Sequence, residues 1–152
     1  MPSLQDTVKN LVRALRLPFV SASIFPFLLG SLIAKNDFHA LRFLLGLVAA
    51  VSTHLSANLI NDYADSKSGA DWKDLNFYGF FGGSKLIQDK VLTEQFFLNG
   101  SIIFAVCAAL SVFTLAVVLK SFTVVVFFLL IIALAWMYSA KPLQLSYHRA
   151  GE

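Results

Sequence analysis

The sequence predicts an all-α, polytopic bundle of four membrane-spanning helices, preceded by a helix at the membrane surface. Of the 152 residues, 57% are hydrophobic and only 14% are charged, whereas about a quarter of the residues in a soluble domain are charged. Four apolar runs approach the length of about twenty residues that a helix needs to cross a bilayer. The single cysteine, Cys107, lies inside one of these runs, which excludes a disulfide framework and a cysteine-based metal site.

The N-terminal segment, residues 3–16, is predicted to form a helix in the membrane interface. Ser3 and Asp6 have the spacing of a capping box, with Asp in the place of the usual Glu. Five apolar residues then share one helical face and three basic residues lie off it, namely Leu4, Val8, Leu11, Val12 and Leu15 against Lys9, Arg13 and Arg16. An amphipathic basic helix of this kind is typical of one that lies in the plane of the membrane.

The predicted spans are residues 17–34, 41–60, 96–119 and 122–140. The first span contains Pro26 and Gly30, so we expect a kink that neighbouring helices cover. Residues 61–95 are predicted to be a long polar loop, and the chain ends in the polar tail LQLSYHRAGE. Because the number of spans is even, the N-terminal helix, the long loop and the tail should share one side of the membrane.

Basic residues are divided unequally between the two sides. Nine lie on the side of the long loop and three on the other, namely Lys9, Arg13, Arg16, Lys67, Lys73, Lys85, Lys90, Lys141 and Arg149 against Lys35, Arg42 and Lys120. Loops rich in Lys and Arg stay in the cytoplasm. We therefore expect a multi-pass protein of the cell (inner) membrane, with both termini and the long loop in the cytoplasm. Membrane lipid is an expected partner and nucleic acid is not.

The stretch NLINDYADSKSGAD, residues 58–71, interrupts the apolar character of the chain. Asp62 and Asp65 are one helical turn apart at the end of the second span, and Asp71 follows a break that Ser68-Gly69 permits. Three converging carboxylates stay ionised together only if a cation neutralises them. Oxygen ligands suit a hard cation, and Mg²⁺ typically combines one or two carboxylates with substrate phosphates. Mg²⁺ is therefore the leading candidate for a cation among these carboxylates, and the alternative is a solvated polar loop that joins two helices, with Asp as a turn former.

The same stretch carries a resemblance. NDYADSKSGAD resembles the first aspartate-rich motif of the UbiA superfamily of intramembrane prenyltransferases. HLSANLINDYADSKSGAD, followed by GGSKLIQDKVLT and YSAKPLQLSYHRAGE, is similar more narrowly to the 1,4-dihydroxy-2-naphthoate polyprenyltransferases of menaquinone synthesis. The likeness covers nearly the whole chain, including RLPFVSASIFPFLLG in the first span. It implies Mg²⁺-dependent transfer of a polyprenyl group from an allylic diphosphate to an aromatic acceptor, 1,4-dihydroxy-2-naphthoate.

The resemblance also implies roles for single residues. Asp62, Asp65 and Asp71 would be the metal-binding carboxylates of the catalytic centre, and Lys85 would bind phosphate there. Asn58 would orient the diphosphate or a metal ligand. The other substrate-binding candidates are Asn61, Lys67, Gly82, Gly83, Ser84, Lys141 and Arg149. The two glycines would allow the backbone to approach a phosphate closely.

The chain departs from the superfamily in length. Members have about twice this length, with roughly nine spans and a second aspartate-rich motif in the C-terminal half. Here the only acids after Asp89 are Glu94 and Glu152, and neither belongs to a paired motif. We therefore expect the N-terminal half of an enzyme, from a fragment, a split gene or a truncated gene model. Its partner would be the C-terminal half, or a second chain that carries the second motif.

Three other interpretations are open at this point. The acceptor could be 4-hydroxybenzoate, homogentisate or a non-aromatic lipid. Outside the enzymes, a four-span channel or cation carrier should place ionisable residues near the middle of the membrane, whereas these acids lie at one interface. The third interpretation is a non-catalytic partner in a membrane assembly.

Overall fold

The computed structural model describes residues 3–34, 37–72, 76–79 and 82–148. Within these ranges the protein is all-helical and has no strand, as predicted. The α-helices in these ranges are α1 (Leu4–Ala14), α2 (Ser21–Ile33), α3 (Ala40–Ser68), α4 (Glu94–Leu119) and α5 (Thr123–Ser139). Short 3₁₀ turns at Leu17–Val20, Ala70–Trp72 and Leu145–Tyr147 complete the described elements.

Two helices, α3 and α4, are long and apolar enough to cross a membrane. The segments Leu4–Ala14 and Leu17–Ile33 satisfy the same criterion together, although they are bent by 43° at their junction, so they form a possible third span. The 17 residues of α5 extend over about 26 Å at the rise of an α-helix, slightly less than the ~30 Å of the hydrocarbon core. The described ranges thus contain two or three spans, and the predicted count of four is not confirmed.

α1 begins where the capping box predicts. The backbone N–H of Asp6 donates to Ser3 Oγ at 3.1 Å, and the Asp6 carboxylate accepts from the backbone N–H of Ser3 at 3.3 Å. The Ser3 hydroxyl also donates to the Asp6 carboxylate at 2.7 Å. This hydrogen bond, followed by the one from the Ser3 backbone N–H, favours the ionised carboxylate and lowers the pKa of Asp6. The apolar residues Leu4 and Val8 are exposed, as expected for the lipid-facing side of an interfacial helix.

α3 continues beyond residue 60, where the second span was predicted to end, as far as Ser68. It stops there because Gly69 adopts a left-handed conformation, with φ of 83°, which glycine enters without a steric penalty. The interval 61–95 therefore begins as helix rather than loop. This correction places the whole aspartate motif up to residue 68 on one rigid element.

Small side chains form the contact between α3 and α4. The buried residues there are Ala49, Ser52, Ser56, Ser101, Ala108, Ser111 and Ala116. Ser56 Oγ donates to the carbonyl of Ser101 at 2.8 Å, and Trp136 Nε1 on α5 donates to Ser56 Oγ at 3.0 Å. Small residues and hydroxyls are typical of helix contacts in lipid, where close approach and hydrogen bonds replace the hydrophobic effect.

A hydrophobic core lies beside the C-terminal half of α3. Its buried members are Ala14, Leu59, Leu86, Ile87 and Phe97. They come from α1, α3, the segment after Gly82 and α4. The core therefore holds α1 and the segment 82–92 against the same end of the α3–α4 pair, and this packing brings the predicted site residues together.

Candidate functional site

The aspartate motif and the glycine-containing segment meet at the C-terminal end of α3. The backbone N–H of Ser84 donates to Asp62 Oδ2 at 3.0 Å, and Lys85 Nζ donates to Asp71 Oδ1 at 2.7 Å. Only 2% of Asp62, 5% of Lys85 and 7% of Asp71 is exposed. Buried charges persist when they are paired and hydrogen-bonded. Four of the predicted site residues thus form one buried network.

Gly83 allows this approach. A Cβ at Gly83 would overlap the Asp71 carboxylate and would lie 2.9 Å from its Cγ. Gly82 and Lys85 on either side of the Gly83-Ser84 step have left-handed backbones, with φ of 73° and 59°. The predicted role of the glycines was close approach to a phosphate. In the structure the close approach is to a carboxylate of the chain itself.

Arg16 supplies a second cation, which the sequence placed only on the basic side of the interfacial helix. Arg16 Nη2 donates to Asp62 Oδ1 and, at 3.0 Å, to Asn61 Oδ1. The backbone of Arg16 is left-handed, with φ of 48°, at the turn between α1 and the next segment. Both carboxylate oxygens of Asp62 therefore have donors. The signal in the sequence was a basic residue at the end of an amphipathic helix, directly before Leu17-Pro18, where the chain has to turn.

Asp65 receives a donor from the C-terminal segment. The Tyr147 hydroxyl donates to Asp65 Oδ1 and lies 2.9 Å from Ser68 Oγ. Burial, and then the hydrogen bond to Asp65, raise the pKa of Tyr147 to about 12, so the phenol is protonated at neutral pH and acts as the donor. Tyr147 was not among the predicted site residues, because no spacing rule connects positions 65 and 147.

The two predicted asparagines fix neighbouring elements on α3. The side-chain amide of Asn58 donates to the carbonyl of Leu15 at 3.2 Å, at the end of α1. The Asn61 amide donates to Ser139 Oγ at the end of α5, while its oxygen accepts from Arg16. Both asparagines therefore hold the ends of other helices, α1 and α5, close to the carboxylates.

Two predicted basic residues, Lys67 and Lys141, do not join the buried network. Lys67 is exposed and pairs with Glu94 at the start of α4. Lys141 is exposed and lines, with Lys67, a separate cavity of about 530 Å³ between the ends of α3 and α5. Arg149 lies outside the described residues.

The carboxylates do not fit a metal ion in this arrangement. Among the residues that the structure describes, no group of three or more His, Cys, Asp or Glu side chains is placed to hold one. Asp62 is engaged by Arg16 and Ser84, and Asp71 by Lys85. The chain's own cations thus neutralise two of the three carboxylates for which the sequence predicted Mg²⁺, and Asp65 accepts a hydrogen bond from Tyr147.

Two cavities lie near the network. One, of about 460 Å³, is lined by Arg16, the segment 82–84 and part of α1. The other, of about 560 Å³, is mainly apolar and lies among α2, α3, α4 and α5; it is lined by Pro26, Ala50, Ala57, Val112, Phe128 and Ile131, among others. His54 also lines it, with Nδ1 at 2.8 Å from Ser23 Oγ. His54 precedes Asp62 on α3 by two turns, about 12 Å of helix.

A bound phosphate would compete for Arg16 and Lys85 with the carboxylates that hold them, because charged oxygens are the preferred acceptors of both cations. Asp62 and Asp71 would then need other counterions.

In comparisons with known proteins, the chain matches no protein-family model, no curated protein and no solved structure.

Proposed function

We propose that the chain belongs to a membrane enzyme that transfers a polyprenyl group from an allylic diphosphate to 1,4-dihydroxy-2-naphthoate. The observation that carries the proposal is the buried contact between the aspartate motif and the segment GGSK, with Ser84 on Asp62 and Lys85 on Asp71. The resemblance to the UbiA superfamily assigns the diphosphate to these two segments. Ionisable groups near membrane depth are costly and are usually functional, which supports the same assignment.

The diphosphate would take over the two buried cations. Arg16 can give a phosphate two parallel N–H donors, and Lys85 can act as a point charge. Both would then stabilise the negative charge that develops on the departing pyrophosphate. The glycines beside Lys85 would leave room for phosphate oxygens where the structure now has the Asp71 carboxylate.

Mg²⁺ is also proposed, on the resemblance alone. Asp62, Asp65 and Asp71 would be its ligands. Because they do not fit a metal ion in the described arrangement, binding requires that Asp62 leaves Arg16 and that Asp71 leaves Lys85. Metal binding should therefore be weak for the chain by itself and stronger when a diphosphate engages the two cations.

The apolar helices would bind the isoprenoid tail. The cavity of about 560 Å³ among the four helices would hold part of the hydrocarbon tail and keep water from the allylic cation. The proposed topology has four spans, with α5 crossing a locally thinned bilayer. The nine-to-three division of basic residues supports a topology in which the site, both termini and the substrate diphosphate lie on the cytoplasmic side of the inner membrane.

Catalysis is proposed to need a second aspartate-rich segment, from a C-terminal half or from a second chain. The sequence has no paired acidic motif after Asp89, and the resemblance implies two motifs that share the diphosphate. A separate partner is sufficient in principle, because helices associate in lipid without a covalent link.

The test is transfer of a radiolabelled polyprenyl group in membranes that hold this chain together with a segment carrying the second motif. Asp62→Asn should lower the rate on the order of a hundredfold, the effect of losing one key electrostatic group. Asp37→Asn, the same change before α3 and far from the network, should leave the rate unchanged. Transfer at the full rate by the Asp62→Asn chain would contradict the proposal. A preference for 4-hydroxybenzoate would contradict only the proposed acceptor and would leave the proposal of prenyl transfer unchanged.

A second candidate is a non-catalytic assembly partner, and the closed ion pairs favour it. Asp62 and Asp71 already have partners, so the network could serve only to fasten the segment 82–92 onto α3. The effect of a prenyl diphosphate on the stability of the chain distinguishes the enzyme from the assembly partner. A substrate at a hundred times its Kd raises the free energy of unfolding by about 2.7 kcal/mol, whereas a purely structural network gives no such protection.

A further inference from the structure

The cavity beside α1 contains buried donors without partners. It has a volume of about 460 Å³, and three basic residues line it, namely Lys9, Arg13 and Arg16, with no acidic residue among its described lining. The Nε atoms of Arg13 and Arg16 are buried and have no hydrogen-bond partner within the described ranges. A buried donor on a charged group that lacks an acceptor costs free energy. Two arginines that each keep a donor without an acceptor, and a cavity lining with three basic and no acidic residues among those described, favour an anionic ligand.

Other contacts hold the two guanidinium groups in position. Arg13 Nη2 donates to Asp89 at 3.0 Å, and the Arg13 guanidinium lies 3.9 Å from the centroid of the Phe77 ring. Arg16 Nη2 is held by Asp62. Since these contacts use the terminal nitrogens, the Nε groups are in place without a partner before any ligand arrives. Lys9, one helical turn before Arg13 on α1, is exposed and adds a flexible cation.

The remaining walls of the cavity are largely apolar. They include Val12, Pro18, Phe19 and Phe77. The volume equals that of roughly fifteen waters at about 30 Å³ each, which is far more than a single inorganic anion fills. A matching ligand therefore has an anionic group and an apolar body. The cavity is formed by α1, whose amphipathic pattern places it at the depth of the lipid headgroups.

We propose that this cavity binds the headgroup phosphate of an anionic membrane phospholipid. Lys9, Arg13 and Arg16 contact the phosphate, and the apolar walls contact the glycerol and the first carbons of the acyl chains. The cavity shares Arg16 and the segment 82–84 with the proposed diphosphate site, so the lipid is a second ligand of that region, and its binding is measured separately from prenyl transfer. Because Arg16 also holds Asp62, the bound lipid fixes α1 over the aspartate motif and couples the order of the motif to the lipid around it.

The experiment measures the lipid that the full chain retains. The chain in mild detergent is titrated with phosphatidylglycerol or with phosphatidylcholine, and bound molecules are counted by native mass spectrometry. We expect one phosphatidylglycerol to bind in preference to phosphatidylcholine. Arg13→Gln should weaken this binding by roughly tenfold or more, the effect of losing one charge-assisted hydrogen bond. Equal binding of the two lipids by the unaltered chain would overturn the proposal.

Two matched variants separate a lipid ligand from a structural ion pair. Asp89→Asn removes the same ion pair as Arg13→Gln but leaves the guanidinium in the cavity, so it should keep or strengthen phosphatidylglycerol binding. Arg42→Gln removes one guanidinium elsewhere and should change nothing. Equal losses in Asp89→Asn and Arg13→Gln would mean that Arg13 only holds the fold, and the proposed site would be wrong.

A further arm separates a lipid from a free anion. Val12→Asn makes an apolar wall polar and should weaken the binding of phosphatidylglycerol by several-fold, while the weak binding of inorganic phosphate should not change. If phosphate binds as tightly as phosphatidylglycerol, and Val12→Asn affects neither, the ligand is a soluble anion and the lipid assignment fails.

Discussion

Lys85 and Asp71 form an ion pair that is almost removed from solvent, 2.7 Å from Nζ to Oδ1. The carbonyl of Asp71 accepts a second, longer hydrogen bond from Lys85 at 3.4 Å. In a buried pair, loss of one partner leaves an uncompensated charge, whereas replacement of both partners by neutral groups is often tolerated. The energetic role of Lys85 in the fold can therefore be measured separately from any role in binding a phosphate.

Lys85→Met should lower the free energy of unfolding by about 3–5 kcal/mol, because the Asp71 carboxylate is left buried and unpaired. The double variant Lys85→Met/Asp71→Asn should recover most of that loss. Thermal unfolding in detergent measures both. Lys90→Met is the matched control, since Lys90 also has a left-handed backbone, with φ of 57°, but is exposed; it should change stability by less than about 0.5 kcal/mol. Equal effects of Lys85→Met and Lys90→Met would mean that the pair does not stabilise the fold.

At the scale of elements, α1 is held against the end of α3 by few contacts. Asn58 donates to the last turn of α1, Arg16 binds Asp62, and Ala14 is part of the core. Most of the apolar face of α1 is exposed to its surroundings. The position of α1 over the aspartate motif thus depends strongly on polar contacts with α3.

Arg16→Gln should release α1 from α3 while α4 stays unchanged. A hydrogen bond to a charged group contributes about 1.5–3 kcal/mol, so the amides of α1 should exchange with deuterium roughly tenfold faster or more. Hydrogen exchange followed by mass spectrometry measures this. Lys120→Gln, which removes an exposed cation at the end of α4, should leave the exchange of α1 unchanged. Identical protection in Arg16→Gln and the unaltered chain would show that the core alone positions α1.

Local signals in the sequence predicted part of this arrangement. The capping box at Ser3 and Asp6 and the glycine that ends α3 act within a few residues, so their positions were readable. The C-terminal extent of α3 could not be read from the sequence, because NDYADSKS is polar enough to resemble a loop. Its partners are distant: Arg16 and Tyr147 are 46 and 82 residues from the carboxylates that they contact. No periodicity encodes such contacts, and only the packing of α1 and the C-terminal segment produces them.

For the molecule as a whole, three remote segments converge on one end of α3. They are the end of α1, the segment 82–92 and the turn at Leu145–Tyr147. The sequence predicted the same grouping from the number of spans and the basic residues. The described structure shows this convergence.

We expect a cysteine at position 68 to react with a membrane-impermeant maleimide only after cells are opened. Ser68 is exposed beside the site, and the excess of Lys and Arg should keep this end in the cytoplasm. Thr123→Cys, at the start of α5, should react in intact cells. Both variants need a Cys107→Ala background, because Cys107 is exposed. The reverse labelling pattern would place the site on the outer face and would exclude a cytoplasmic diphosphate as its ligand.

The residues that form the ion pairs of the site are also synthesised in a fixed order. A chain is synthesised from its N terminus at about 5–20 residues per second. Arg16 is therefore already present when Asp62 leaves the ribosome, and Asp71 waits for Lys85, 14 residues later, for roughly one to three seconds. The buried acids of the described chain, Asp62 and Asp71, thus have their cations before α4 begins at Glu94. Asp65 differs from them, because its donor Tyr147 follows α5 in the chain and is synthesised only after both α4 and α5.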